Sequence, residues 1–220
     1  MLAEDREEDA YVRMEAKAYL CEVVGDCAEK QFRAILYDDA DEQMRLEAVV
    51  TLAETHTPTA FDLLRAVLQD ATQPLFLRSA CAWGIGSHGT KEAAEVLVQA
   101  FADAASEIRE EALHALQDLG AIGFDPLVKG LENPSTDIAA GVAEALRQIP
   151  NIPVERIKEL AEQTSSTWPV WTLAHLPKEA VTPYVATLQT RRPEIHYAIS
   201  VLWNFLESWI AADWTPGAMP

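Results

Sequence analysis

Glu107-Ile108-Arg109-Glu110-Glu111-Ala112-Leu113-His114-Ala115-Leu116 is the stretch whose reading decides the fold. Counted from Arg109, small or apolar side chains stand three, six and seven residues on, at Ala112, Ala115 and Leu116, which makes one face of an α-helix. Working outward, Arg78 heads Cys81, Gly84 and Ile85, Arg45 heads Ala48, Thr51 and Leu52, and Arg13 heads Ala16, Tyr19 and Leu20 at the same offsets. The steps from Arg13 to Arg109 are 32, 33 and 31 residues. A fifth copy follows 30 residues after Arg109, with Ala139 in the arginine place and Val142, Ala145 and Leu146 behind it, and a worn sixth starts at Val170 with Leu173 and Leu176. Self-similarity at this period is the mark of a stacked helical array.

Between the arginine-headed segments runs a second helical pattern, over residues 28–37, 58–69, 91–102, 126–132 and 153–163. Few β-branched residues interrupt either set, so pairs of antiparallel amphipathic helices are expected. Thr57-Pro58 and Asp125-Pro126 each read as a capping residue before a proline at the first helical position, and Gly120 and Gly123 as helix stops. An acidic residue lies six positions before the arginine in Glu7/Arg13, Asp39/Arg45 and Asp103/Arg109. Asp70 lies eight before Arg78, and Asn133 takes the place before Ala139. A turn aspartate accepts backbone N–H bonds and attracts a guanidinium, so these residues predict a ladder of contacts from each repeat to the next.

At these positions the sequence resembles the HEAT family, particularly the short variety first described in phycobilisome lyases. That repeat carries a turn aspartate, a valine-arginine pair and an alanine-rich run ending in alanine-leucine-glycine. Glu107–Leu116 and Leu77-Arg78-Ser79-Ala80-Cys81-Ala82-Trp83-Gly84-Ile85-Gly86 carry the likeness, which spans about residues 7–165. It implies an all-α fold, a right-handed α-solenoid of about five to six helix pairs. Residues 1–164 form the repeat array, and residues 165–220 a degenerate last repeat with an aromatic capping helix. Roles in this family range from scaffolds, inhibitors and immunity-type proteins to bilin lyases.

The bulk numbers agree with a stacked core. The 220 residues are 49% hydrophobic with nine glycines, and no apolar run reaches the roughly 18 residues that a membrane span requires. An acidic amino-terminal stretch without a basic and apolar leader pattern points to the cytoplasm. Cys21, Cys27 and Cys81 make an odd set that argues against a disulfide framework and matches no zinc spacing. Cys81 stands where other repeats have alanine, the place of a small buried hydrophobe.

The net charge of −18 is concentrated: residues 1–164 hold 31 acidic and 14 basic side chains, and residues 165–220 four and three. Such a field disfavours nucleic acid and anionic membrane and favours a basic protein or peptide, or else serves solubility alone. In HEAT-type arrays the arginine-bearing helix lines the concave side, which singles out Glu15, Glu47, Trp83, Glu110, Glu111, His114, Glu144, Trp171 and His175. The expectation is an acidic row in which carboxylates pair with lysine or arginine and the indoles stack on the cations. Against it stand a plain solvated helix face for the glutamates and a space-filling role for Trp83, with Gly84 and Gly86 leaving room for its ring. The repeats set no oligomeric state.

No phosphate loop, nucleophile elbow, His-Glu-x-x-His pattern or cofactor motif occurs. There is no adjacent His-Glu pair of the kind that holds iron in HEAT-like hydroxylases. His56 and His88 fall near corresponding helix ends, the one place where the sequence leaves room for a surface metal. The resulting expectation is a non-catalytic protein-binding scaffold, possible forms being an inhibitor or immunity-type protein. A bilin lyase or chromophore chaperone and a pure assembly scaffold are the alternatives. Five of six tryptophans, Trp168, Trp171, Trp203, Trp209 and Trp214, lie in the last quarter, as a cap on the stack or as an exposed patch.

Overall fold

The computed structural model describes residue 5, residues 7–24 and residues 28–211, with the side chains of residues 18–29 and 205–211 outside that description. Tyr19, Leu20, Cys21, Cys27, Trp209 and Trp214 therefore lie outside the described side chains. Among the described residues the structure is helical, without a strand, in two compact units, Met1–Pro126 and Leu127–Pro220.

The first unit holds α1 (Ala10–Val24), α2 (Ala28–Asp38), α3 (Glu42–Thr55), α4 (Pro58–Gln69), α5 (Leu75–Ser87), α6 (Lys91–Ala100) and α7 (Ser106–Leu119). The arginine-bearing helices pack in series, α1 on α3, α3 on α5 and α5 on α7. Three helix starts in this unit carry a side-chain cap. Thr57 accepts the Ala60 N–H at 3.2 Å with Pro58 behind it, Thr90 accepts the Ala93 N–H at 3.1 Å, and Asp41 accepts from Gln43 and Met44. Gly120 ends α7 at φ 52°, a conformation that glycine adopts without a Cβ penalty. Asp125 differs from expectation: a 3-10 turn over Gly120–Gly123 leads directly into α8 (Phe124–Gly130), so Asp125 stands in the first turn of a helix already begun.

The repeated apolar offsets are the core. Ala48, Leu52, Cys81, Ile85, Ala112 and Leu116 are buried, together with Leu36, Leu63, Leu64 and Leu97 from the alternate helices. Gly84 and Gly86 have a different purpose from the one the sequence suggested. A Cβ on Gly84 would meet Leu64 Cδ1 at 3.2 Å, and one on Gly86 would meet Ala115 Cβ at 2.8 Å. The room they leave belongs to neighbouring helices, and Trp83 is 42% exposed.

The arginines form a ladder: Arg78 meets the turn residue Asp103 of the next repeat as expected, whereas Arg13 and Arg45 take other partners. Arg13 Nη1 donates to Asp41 at 3.2 Å, not to Asp39, because Asp39 is turned onto the backbone N–H of Asp41. Arg45 donates Nε to the Leu36 carbonyl at 2.8 Å and Nη2 to Gln73 at 2.6 Å. Asp70 backs this rung indirectly, accepting from the Thr72 N–H, the Thr72 hydroxyl and Gln73 Nε2. Arg78 repeats the arrangement, with Nε on the Leu68 carbonyl at 2.9 Å and both Nη atoms on the Asp103 carboxylate. Burial works to raise the Asp103 pKa, but the bonds from Arg78 and the Ala105 N–H outweigh it and hold the carboxyl below its ordinary value. Arg109 instead turns Nη1 onto the carbonyls of Asp103 and Ala104, at 2.7 and 3.0 Å.

The second unit contains α8, α9 (Thr136–Gln148), α10 (Val154–Gln163), α11 (Trp168–Ala174), α12 (Lys178–Arg191) and α13 (Pro193–Ala211). Here α11 lies between α9 and α13. Ala139, in the arginine place, is fully buried. Without an arginine to serve it, the Leu131 carbonyl accepts from the Ser166 hydroxyl at 2.7 Å. Pro183 falls inside α12, and Pro177 stands before its first turn.

Candidate functional site

Arg78 near the start of α5 meets Asp103 just before α7, and Gly86 near the end of α5 abuts Ala115 near the end of α7. The two helices therefore run in the same direction with a fixed register. Trp83 lies one turn before Gly86 and Glu111 one turn before Ala115, so they sit at the same level on neighbouring helices. His114 is one residue from the contact point, exposed, and Glu110 is exposed beside half-buried Glu111.

Among the described residues, no hydrogen bond or ion pair engages the carboxylates of Glu110 and Glu111. The nearest cation in sequence, Arg109, has its guanidinium on backbone carbonyls. Glu15 on α1 is exposed, and Glu47 on α3 is half-buried and accepts from Gln43 Nε2 at 2.7 Å. Uncompensated carboxylates beside an exposed indole make a surface that attracts a cation electrostatically and offers a ring face to it.

In the second unit the corresponding residues are already engaged with one another. Trp171 and His175 stack with ring centres 3.8 Å apart and planes at 22°, and the His175 ring Nδ1 lies 2.8 Å from the Trp171 carbonyl. Glu144 accepts from Arg147 Nε at 2.9 Å and from Gln148 Nε2 at 2.6 Å. The hydrogen bond from Arg147 is the main reason its pKa is lowered. The sequence reading placed Glu111 and Glu144 in one acidic row, but Arg147, three residues after Glu144 on the same face, neutralises only the second.

Of the late tryptophans, the three with described side chains, Trp168, Trp171 and Trp203, make internal contacts. Trp168 meets Trp171 edge-on at 5.9 Å, and Trp203 donates Nε1 to the Ala174 carbonyl at 3.1 Å under Lys178 Nζ at 5.1 Å. These contacts suit a cap, whereas Tyr197 on α13 is 71% exposed.

A third arrangement lies at the far ends of α3 and α5. His56 ends α3 in the left-handed conformation at φ 50°, and His88 ends α5. Their rings meet edge to face, centres 5.4 Å apart, and Phe61 meets His88 at the same distance.

Profile comparison matches HEAT repeats over residues 29–117 and 76–147, which together cover more than half of the chain. The chain belongs to the HEAT-repeat family. Comparison with curated proteins gives no match. Among solved structures, this HEAT-repeat chain is similar to the phycocyanin lyase complex of CpcE and CpcF from Nostoc sp., at 19% identity over 93% of this chain and 92% of that one, TM-score 0.41. Human deoxyhypusine hydroxylase aligns at 16% identity over 94% of both chains, TM-score 0.40. A designed armadillo repeat protein in complex with the peptide (KR)4 aligns at 17% identity over 79% of this chain and 98% of that one, TM-score 0.36. Alignments this loose carry no functional information. Among the described residues no helix is long and apolar enough to cross a membrane.

Proposed function

We propose that this HEAT-repeat chain is a non-catalytic binding scaffold whose acidic row, centred on Trp83, Glu110, Glu111 and His114 with Glu15 and Glu47 beyond, engages a basic segment of a partner protein. One observation carries the reading. Glu110 and Glu111 have no partner among the described residues, while Trp83 stands level with Glu111 and is 42% exposed. Glu144, Trp171 and His175 contribute less, because they are satisfied by Arg147, Gln148 and each other. In this reading residues 1–164 are the repeat array and residues 165–220 its degenerate last repeat. An inhibitor or immunity-type role, covering a basic surface of another protein, is the form that this charge suits, since steering accelerates encounter.

Titration with a short oligoarginine peptide, followed by tryptophan fluorescence, tests the proposal. Binding is expected to weaken steeply between about 0.1 and about 1 M salt, where the Debye length falls from about 10 to about 3 Å. It is expected to be lost in Glu110→Lys/Glu111→Lys and reduced in Trp83→Ala, with Glu144→Lys close to wild type. Equal affinity of the double charge reversal and the wild type would falsify the assignment.

A further inference from the structure

The start of the array copies a later turn bond for bond. Asp5 Oδ1 accepts the Glu7 N–H at 3.1 Å, the Glu8 N–H donates to the Asp5 carbonyl at 3.2 Å, and the Arg13 N–H donates to the Asp9 carbonyl at 3.0 Å. Before α5 the Thr72 N–H donates to Asp70 Oδ1, the Gln73 N–H to the Asp70 carbonyl and the Arg78 N–H to the Pro74 carbonyl, at 2.9, 3.0 and 3.1 Å. Both helices begin three residues before their arginine, at Ala10 and Leu75. Residues 5–13 and 70–78 therefore share one register without an insertion, and residues 2–4 fall on the places of Val67, Leu68 and Gln69 at the end of α4.

One donor breaks the likeness. Arg45 and Arg78 each give Nε to a carbonyl in the last turn of the preceding helix, Leu36 or Leu68, where the helix itself supplies no N–H. Arg13 keeps the other half of the arrangement, Nη1 on Asp41, but its Nε is buried with no hydrogen-bond partner among the described residues. A buried N–H without an acceptor is costly, so such an atom marks a place where an acceptor belongs. Beside it a cleft of about 830 Å³ opens between α1 and α2, lined by Lys17, Gln31, Ala34, Ile35 and Asp38 together with Arg13. In the next repeat the corresponding place, against α3 and α4, is filled by α2.

We propose that residues 1–4, which lie outside the described residues, dock in this cleft as the closing turn of a further helix end. The Ala3 carbonyl accepts from Arg13 Nε, and Leu2 packs as Val67 does in the later repeat. Register names the occupant, since Ala3 precedes Arg13 by the ten residues that separate Leu68 from Arg78. Polarity agrees with it: Val67 and Leu68 are buried and Gln69 is exposed, and Leu2-Ala3-Glu4 runs apolar, apolar, polar in the same order. Docked, the segment ties the start of α1, the helix that carries Glu15, from a second side, with Asp41 on Nη1 and the Ala3 carbonyl on Nε.

The full chain, isotope-labelled at the arginine nitrogens, tests this by NMR of the guanidinium Nε–H signals, the Arg13 signal being assigned by its loss in Arg13→Lys. The Arg13 Nε–H is expected to exchange with solvent as slowly as those of Arg45 and Arg78. Removing residues 1–4, or changing Leu2→Asp alone, should speed the Arg13 exchange about two- to tenfold, the weight of one net hydrogen bond. Arg45 and Arg78 should keep their rates in both variants, which shows that the array is intact, and Glu4→Gln at the exposed place should behave as wild type. Fast exchange of Arg13 in the unaltered chain overturns the proposal, because the atom is then open to solvent. Slow exchange that survives either the removal or Leu2→Asp also overturns it, because another acceptor then meets the guanidinium.

Discussion

Replacing Asp103 by alanine removes two kinds of contact in one step. Its carboxylate receives both Nη atoms of Arg78, and its Oδ1 also holds the Ala105 N–H at 3.0 Å. The side chains of Arg78 and Asp103 are 9% and 18% exposed, so the guanidinium left behind keeps its bond to the Leu68 carbonyl and meets little water. Breaking a buried pair from one side costs about 3–5 kcal/mol, and the residual exposure of Asp103 puts the expected loss near the lower end, about 3 kcal/mol. For a chain of this size that is a fall of about 6–12 °C in Tm. Arg13–Asp41 is the internal comparison, at 12% and 43% exposure. Asp41→Ala should cost about 1–2 kcal/mol, mostly through the lost helix cap. Arg78→Met combined with Asp103→Ala should recover part of the loss, because no buried charge then lacks a partner. Urea unfolding of the four proteins measures all of this. The reasoning is refuted if Asp103→Ala costs no more than Asp41→Ala, or if the double variant is no more stable than Asp103→Ala alone.

Acid should weaken the same rung: a carboxyl whose folded pKa is lowered contributes stability above its unfolded value of about 4, and that contribution disappears as pH falls through the lowered value. Comparing urea midpoints of wild type and Asp103→Asn from neutral pH downward should show the difference narrowing below about pH 4. Gly86→Ala is expected to destabilise by about 1–2 kcal/mol, because the 2.8 Å approach to Ala115 Cβ outweighs the gain in helix propensity. Ala115→Gly in the same chain should relieve the clash, as read by Tm. Tyr184 donates to Glu162 at 3.1 Å, and burial first, then the Glu162 charge and this bond, raise its pKa. A raised pKa stabilises below the unfolded value of about 10 and is lost above it, so Tyr184→Phe should remove an alkaline-sensitive part of the stability, seen by urea unfolding across that range.

The repeat was legible because its signal is redundant. Arg45, Arg78 and Arg109 are followed by the same small-and-apolar offsets, and a spacing kept several times over cannot be mistaken for a strand. The partners of the arginines were less legible, since a loop chooses between near neighbours. Asp39 and Asp41 are both acidic and two residues apart, and only the backbone bond from the Asp41 N–H to Asp39 decides which one faces Arg13. Gln73 was missed because an acidic rule does not look for an amide, although Asp70 at eight residues before Arg78 was a visible irregularity. The candidate row divided for a similar reason. Arg147 stands three residues after Glu144, a pairing readable from the sequence, whereas Glu111 is followed at the same distance by His114.

The turns at Asp39, Asp70, Asp103 and Asn133 each close on the N–H two residues ahead, and Thr164 does the same with its hydroxyl. The backbone closure of each turn is therefore local, made by one side chain and the N–H two residues on, while the preceding arginine is a separate tie. Removing residues 70–102 would bring the Asp103 joint directly after α4, handing Arg45 the carboxylate that Arg78 now holds. The polypeptide thus has natural splice points about one repeat apart, and a cut at any of them leaves two ends that already fit.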